Sequence, residues 1–575
     1  MEKLKPKLFS VMKNYSSAQL VKDIISGIIV AIIALPLSIA LAIASGVQPI
    51  QGLYTAIVAG FFISFLGGSR VQIGGPTAAF VTIIYGIVAK NGYDGLVIAC
   101  IMAGVFLIIM GVCRFGSLIK YIPYTITTGF TAGIAVTLAG GQLKDFFGLK
   151  IEESVPAEFP EKMACFIKNA STFNKLAFIV GLSALLIQIV YPMILAKIHW
   201  KVRRFLNKIP ASLIAIIVTT VVVQVAGLAA SDTNPDGVAT IFSTFGKVDG
   251  SLPKLSVPHA DLPMIKSLIS PALTIAILAA IESLLSAVVA DGMIGSKHRS
   301  NMELVAQGTG NIFSALFGGI PATGAIARTA ANVKNGGRTP IAGMVHAVTL
   351  LLIVVSLMPL AGNIPMCTLA AVLIMVAYNM CGWREFVRIC KHAPKSDILV
   401  LVATFSLTVI FDLVVAIEVG IVLAAILFMK RMSDVTTMQG WNYTDDGEDA
   451  ENDPDSISLK KVPMGVAVYE IIGPMFFAAT DKFMDITAEA HGEVHVVIIR
   501  MRGVPAVDVT ALHSLRGIIE TCKSKNIHLL FSHVQEQPYQ AMEKSGFVDL
   551  VGKENFRANI DDALAYSETL LEKEN

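Results

Sequence analysis

IGGPTAAF at residues 73–80 and FGGIPATGAIART at 317–329 are two short apolar stretches entered through Gly/Pro clusters, and their placement decides the fold. They open runs near 76–89 and 324–334 that are too short to cross a bilayer alone. Irregular backbone at membrane depth survives only where it is buried in protein or lines a cavity, because hydrocarbon offers it no hydrogen-bond partner. Around them lie apolar segments near the roughly 20 residues that a spanning helix needs. They fall near 24–44, 51–67, 94–113, 117–139, 174–196, 210–229, 269–291, 303–318, 340–360, 365–381, 396–411 and 412–429. With the two broken runs, fourteen spans are expected. One broken run is the third span of the first seven and the other is the third of the last seven, which predicts an inverted repeat.

Composition and charge agree with a chain that is mostly membrane. Of 575 residues 54% are hydrophobic and 15% are charged, and the mean hydropathy is +0.67. Forty-five Lys and Arg against 43 Asp and Glu leave a formal charge of +2, which offers no basic face to nucleic acid. Seven cysteines, at 100, 113, 165, 367, 381, 390 and 522, lack the paired spacing of a metal site. No nucleotide loop, clustered His/Cys set or nucleophile elbow is present, so the sequence does not read as an enzyme. The basic start MEKLKPKLFSVMKNYSSAQLVKDI is not followed by a short apolar core with a cleavage site, and no signal peptide is expected. With fourteen spans and an internal N-terminus, the loops 197–208 and 384–395 fall on the cytoplasmic side. They carry Lys197, Lys201, Arg203, Arg204 and Lys208, and Arg384, Arg388, Lys391 and Lys395. The chain is thus expected in the cell membrane as a multi-pass protein with both termini cytoplasmic.

The residues carry a resemblance along the whole length. ALPLSIALAIASGVQPIQGLYTAIVAGF at 34–61, IESLLSAVVADGMIGSKHRSNMELVAQGTGNIFSALFGGIPATGAIARTAANVKNGGRTPIAG at 281–343 and HAPKSDILVLVATFSLTVIFDLVVAIEVGIVLA at 392–424 resemble the SulP family of anion permeases, called SLC26 in animals. The last two look most like its DauA-type branch, associated with four-carbon dicarboxylates. The resemblance implies a polytopic α-helical membrane protein of seven plus seven inverted segments, divided into core and gate domains, and a homodimer. Its substrate would be a small inorganic or organic anion.

Half-helix starts present unpaired N–H groups and a positive dipole end to such an anion. Thr77, Ala78 and Ala79 in the first broken run, and Gly324, Ala325 and Ile326 in the second, are the candidate backbone donors and close-approach residues. Arg328, in the first turns of the second half-helix, is placed beside the anion by the resemblance; its bland alternative is a structural pair with Glu282. That glutamate lies in the apolar run LTIAILAAIESLLSAVVA, where a charged carboxylate is expensive. Reversible protonation there would couple proton movement to substrate movement. In sodium-coupled relatives an acidic residue at this position shares the ion with a hydroxyl one turn later, here Ser286, and with a threonine where this chain has Ile326. Loss of that hard oxygen favours protons over sodium as the coupling ion. Asp291, His298, Asn301 and Glu303 read as capping and loop-packing residues.

Past Lys430 and Arg431 the composition changes, and the acidic run DDGEDAENDPD at 445–455 reads as a solvated linker. Strands are predicted at 465–473, 494–501 and 527–532, and helices at 478–490, 509–525 and 535–545, giving a small α/β domain. It resembles the cytoplasmic STAS domain that ends most SulP proteins. Within RMRGVPAVDVTALHSL at 500–515, Asp508 and Thr510 are the candidate regulatory residues, with ordinary helix capping as the bland alternative. The expected organisation is an N-terminal segment 1–23, a transporter 24–430 with repeats about 24–229 and 269–430, a linker 431–455 and a STAS domain 456–575. The function expected is secondary active transport of sulfate or a four-carbon dicarboxylate, coupled to protons by alternating access. A sodium-coupled bicarbonate transporter and an uncoupled channel or exchanger are the alternatives. No cofactor or metal is expected, and a cytoplasmic partner at the STAS domain is.

Overall fold

The first long helix, α1 (Ser17–Ala44), begins where the Ser16 side chain accepts a hydrogen bond from the Gln19 backbone N–H. α2 (Pro49–Leu66) begins with a capping box between Gln48 and Gln51 and a proline in its first turn. α3 (Val81–Val112) is interrupted at Gly92, whose φ of 67° belongs to no right-handed helix. Its first part is therefore a half-helix and the rest a separate span. Then follow α4 (Tyr124–Gly141), α5 (Lys175–Lys197), α6 (Ala211–Val225), α7 (Leu262–Ile294), α8 (Ser300–Leu316), α9 (Ile326–Lys334), α10 (Ile341–Ala361), α11 (Met366–Cys381), α12 (Lys395–Ile410) and α13 (Leu413–Val435).

This computed structural model describes all residues except 1–3, 118–122, 154, 198–208, 232–233, 248–249, 259–260, 412, 443–455, 477–493 and 575. The basic loop expected on the cytoplasmic side at 197–208 lies almost wholly outside the described residues. Among those described, seven helices are long and apolar enough to cross a bilayer by length and composition. α8 is not among them: it has 17 residues, and its buried residues include Asn301, Glu303, Gln307 and Asn311. A helix packed on protein rather than lipid can hold polar groups, provided they are bonded.

By its contacts the chain divides into two units, Met1–Ile421 and Val422–Asn575. In the first, α1 packs along α10, α3 along α7, and α2 along α8. A second group joins α4 to α11 and α12, and α5 to α6 and α11. Exchanging the first seven segments for the last seven turns the α1 and α10 contact into that of α7 and α3. The same exchange turns the contact of α4 with α12 into that of α11 with α5, so the packing carries the twofold relation read from the two broken stretches. Small residues permit the tightest crossing: a Cβ on Gly104 of α3 would sit 2.6 Å from the Gly308 carbonyl of α8.

The broken stretches themselves pair. β1 (Gly74–Gly75) and β2 (Thr323–Gly324) run antiparallel, with Gly74 opposite Gly324 and Gly75 opposite Thr323. Sequence reading expected the half-helices within runs near 76–89 and 324–334, entered through the clusters that hold Pro76 and Pro321. The first begins through a 3-10 turn at Ala78–Phe80, and the second, α9, begins at Ile326 after β2 has taken up Thr323 and Gly324.

The second unit is a five-stranded sheet in the order β3 (Thr437–Asn442), β4 (Val466–Ile472), β5 (Val496–Gly503), β6 (His528–Ser532), β7 (Phe556–Arg557). β3 and β4 are antiparallel and the rest are parallel. One face buries Ile471, Ile499 and Phe531 under α14 (Val509–Ser524) through Leu515 and Ile519. The other buries Val468, Ile498 and Leu530 under α15 (Ile560–Glu574) through Ile560 and Leu564. The expected helix at 478–490 lies outside the described residues. The expected linker 431–455 needs correction, because its early part forms β3, paired from Thr437 opposite Ile472 to Asn442 opposite Ala467. A strand at the sheet edge that contains Gly440 shows no apolar alternation, which is why composition read it as loop.

Candidate functional site

Both half-helix starts open onto one cavity of about 460 Å³. Thr77, Ala78 and Ala79 line it from one side, and Ala325, Ile326, Ala327 and Arg328 from the other. α7 contributes Glu282, and Leu37 and Leu41 of α1 add apolar wall. The opposite wall comes from the other helix group, with Thr127, Phe130, Thr131 and Ile134 of α4 and Val376, Asn379 and Met380 of α11. The cavity therefore lies between the two groups of helices.

Each half-helix leaves N–H groups ahead of its first turn. In the first, the Phe80 N–H bonded to the Thr77 carbonyl (3.4 Å) is the earliest turn bond, so those of Ala78 and Ala79 precede it. In the second, the Thr329 N–H bonded to the Ala325 carbonyl (2.9 Å) is the earliest, which leaves those of Ile326, Ala327 and Arg328. Two expected donors are differently used. The Ala325 N–H donates to the Ile73 carbonyl (2.9 Å). Gly324 pairs with Gly74 in the short sheet and does not line the cavity.

Glu282 accepts a hydrogen bond from Thr77 Oγ1 at 2.8 Å, which joins α7 to the first half-helix. Arg328 is 1% exposed, and its Nη2 donates to the Pro76 carbonyl (3.1 Å) and to Ser38 Oγ (3.3 Å). Its Nε and Nη1 have no partner among the described residues. Nη1 lies so close to Gly75 that a Cβ there would collide with it, so glycine at 75 makes room for the guanidinium. Among the described residues Arg328 and Glu282 form no ion pair, and the guanidinium is bonded instead to the Pro76 carbonyl and Ser38. Ser286 is buried, and its hydroxyl lies 3.4 Å from Thr329 Oγ1 on the side away from the cavity lining.

The residues read as structural are bonded as such. Asp291 accepts from the His298 backbone N–H (2.6 Å) and from Ser296 Oγ (2.7 Å), and pairs with His298 Nδ1 (2.7 Å). Glu303 is fully buried and accepts from the N–H groups of Gly68 (2.8 Å) and Ser69 (2.9 Å), and from the amides of Gln72 (3.0 Å) and Gln307 (2.9 Å). It fixes the turn that leads into β1. Asn301 Oδ1 accepts from the Gly116 N–H at 2.9 Å. In the second unit Asp508 is the N-cap of α14, its carboxylate accepting from the Ala511 N–H at 2.8 Å, and Thr510 is exposed.

Sequence reasoning missed the opposite wall. Its signal was the hydroxyl-rich run TITTGFT at 125–131 and the lone amide of Asn379 in an apolar span. The hydroxyls of Thr127, Thr128 and Thr131 bond back to their own helix, Thr127 Oγ1 to the Tyr124 carbonyl at 2.9 Å, so the run also reads as ordinary helix packing.

The comparisons with known proteins fit this geometry. A family model described as "Sulfate permease family" matches residues 20–404, and one described as "STAS domain" matches 459–563. The chain is 38% identical over 551 residues to "Putative sulfate transporter YvdB" of Bacillus subtilis, covering 96% of this chain and 98% of that one. It is 29% identical to "Bicarbonate transporter BicA" of Picosynechococcus sp., covering 91% and 90%. Among solved structures, that of SLC26A9 superposes with a TM-score of 0.85 at 17% identity, over 99% of this chain and 94% of that one, a likeness of fold.

Proposed function

Since the chain belongs to the sulfate permease family, we propose that it is a proton-coupled secondary transporter that holds a small anion between its two half-helix starts. The substrate is sulfate or a four-carbon dicarboxylate, Glu282 carries the coupling proton, and Arg328 supplies fixed positive charge. The observation that carries this reading is the convergence of both half-helix starts, Arg328 and Glu282 on one cavity of about 460 Å³. Two sets of N–H groups bring about half a positive charge each, and the guanidinium adds a full one. An anion seated there meets donors from the half-helices and, opposite, a mixed wall of Phe130, Ile134, Val376 and Met380 with Thr127, Thr131 and Asn379.

The Thr77 contact supports coupling. The hydroxyl that donates to Glu282 belongs to the residue that opens the first half-helix. Protonation of that carboxylate removes a negative charge from the edge of the anion site, so proton and anion favour each other there. The fourteen-span topology with both termini cytoplasmic belongs to the same reading, as do a transporter at 24–430 and a regulatory domain at 456–575. Its support is the cationic loop at 384–395 and the order of the helices.

A second reading, sodium-coupled bicarbonate transport, is favoured by the relatives named bicarbonate transporters. Against it stand Ile326, which offers no oxygen, and Ser286, whose hydroxyl faces Thr329. The deciding experiment is an uptake panel in proteoliposomes with labelled sulfate, succinate and bicarbonate, under an inward proton gradient, an inward sodium gradient or neither. Uptake of sulfate or succinate driven by protons supports the proposal. Bicarbonate uptake driven by sodium alone replaces it with the second reading.

A further inference from the structure

Where α1 begins, a second cavity of about 550 Å³ shares no residue with the first. Its cations come from three separate segments: Lys7 from the short helix Lys7–Val11, Arg70 from the turn between α2 and β1, and Arg338 from the turn between α9 and α10. No carboxylate is among the residues that line it. The N-terminal segment is tied down over it. The Lys7 N–H donates to the Gly67 carbonyl (2.8 Å) and its Nζ to the Lys297 carbonyl (2.8 Å). Arg299 reaches the Lys5 carbonyl (2.7 Å) and Ser10 Oγ (3.0 Å).

The nearby carboxylates are already engaged. Asp23 accepts from Tyr15, Gln19, Thr339 and the Arg338 N–H, Asp291 is taken by His298 and Ser296, and Glu303 by its four donors. Arg70 Nε is buried and has no partner among the described residues. Burial and then repulsion from Arg299 and Arg70 hold the Lys7 amine below the usual lysine range. Positive charge from three segments has thus been gathered around a void whose lining holds no carboxylate, with Asp23 and Asp291 set behind it, and an anion in the void would be drawn to those cations.

We propose that this cavity binds a phosphate group carried on an organic ester, either a small soluble phosphate ester or the headgroup of an anionic lipid. The guanidinium fork of Arg70 fits phosphate oxygens, and Lys7 and Arg338 add charge from the other two sides. Ser10 and Ser16 line the cavity and accept hydrogen bonds through their oxygens, from Arg299 and from the Gln19 N–H, so each keeps its O–H to donate. An occupant would bridge the N-terminal segment to the turn that enters β1 and the turn that leaves α9. Both turns lead to the anion site, so occupancy stabilises the half of the molecule that holds it.

The test uses the full chain in nanodiscs, following the thermal unfolding midpoint. One arm titrates glycerol 3-phosphate into phosphatidylcholine discs, and the other replaces part of the phosphatidylcholine with phosphatidylglycerol. A rise in the first arm assigns a soluble ester, and a rise in the second alone assigns a lipid headgroup. In the responding arm Arg70→Gln weakens the effect by about tenfold or more in ligand concentration, the loss of a charge-assisted contact. Arg70→Lys, which keeps the charge but not the fork, recovers only part of it, and both variants elute monodisperse. No rise in either arm, or an Arg70→Gln response equal to that of the unsubstituted protein, overturns the proposal.

Discussion

Replacing Arg328 by alanine removes a cation that is 1% exposed and so is little screened by solvent. Its guanidinium is held by the Pro76 carbonyl and Ser38 Oγ, immediately before the residues whose N–H groups face the cavity. For two unit charges about 6 Å apart at an effective dielectric of about 20 the attraction is about 3 kcal/mol, the scale for an anion in the cavity that Arg328 lines. Water in the cavity weakens part of this, so the expected loss of affinity is about 10- to 100-fold. The assay is equilibrium binding of labelled sulfate or succinate to purified protein, with proteoliposome uptake beside it. Arg328→Lys separates charge from shape. It keeps the charge but not the fork, and is expected to recover most of the binding. The alanine variant also leaves the Pro76 carbonyl and Ser38 without their donor, so its monodispersity and unfolding midpoint are measured too. A folded Arg328→Ala protein that binds within threefold of the original would refute the role assigned to this charge.

Glu282→Gln is expected to keep measurable anion binding and lose acceleration by an inward proton gradient; uptake that still follows the gradient would show that the proton travels elsewhere. Gly75→Ala drives a methyl into Arg328 Nη1 and is expected to weaken anion binding in the same direction as Arg328→Ala, which a binding isotherm checks. Glu303→Gln replaces a carboxylate that accepts four hydrogen bonds with an amide that has one acceptor oxygen. A loss of about 3 kcal/mol is expected, read as a lower unfolding midpoint. Deleting residues 456–575 is expected to leave a membrane-inserted protein that still binds anion, because both half-helix starts, Glu282 and Arg328 precede that segment; complete loss of binding in a monodisperse truncation would contradict this.

The apolar spans and the two broken stretches were legible because membrane burial writes itself into long runs of one residue class, and a break in such a run demands a cavity. Glu282 stood out for the same reason, as a carboxylate where charge is costly, whereas Arg328 was placed beside the anion by the family resemblance. β1 and β2 were not, since a two-residue ladder has no periodicity, and so the sequence reading took Gly324 and Ala325 for free donors. Nor was the wall formed by Thr127, Thr131 and Asn379, whose polar groups look like helix packing until α4 and α11 are seen to face the half-helices. β3 was hidden because an edge strand with a glycine has no apolar face to announce it.

The pattern of hydrogen bonds also says which parts can move together. The two half-helices are tied to each other and to α7. The Ala325 N–H meets the Ile73 carbonyl, the Ile73 N–H meets Thr329 Oγ1 (3.1 Å), and Asn332 Nδ2 meets the Val71 carbonyl (2.8 Å). Thr323 Oγ1 reaches the Ala279 carbonyl of α7 at 3.0 Å, and Thr77 reaches Glu282. Across the cavity the situation is opposite. Among the described residues no hydrogen bond runs from α4 or α11 to either half-helix, and the facing side chains include Phe130, Ile134, Val376 and Met380. Sliding across this face breaks no hydrogen bond among the described residues, whereas parting β1 from β2 would strand buried N–H and carbonyl groups at about 1–3 kcal/mol each. In the proposed cycle, then, the half-helices, α7 and the anion they hold move as one body past α4 and α11, and the donors that recognise the anion keep their geometry throughout.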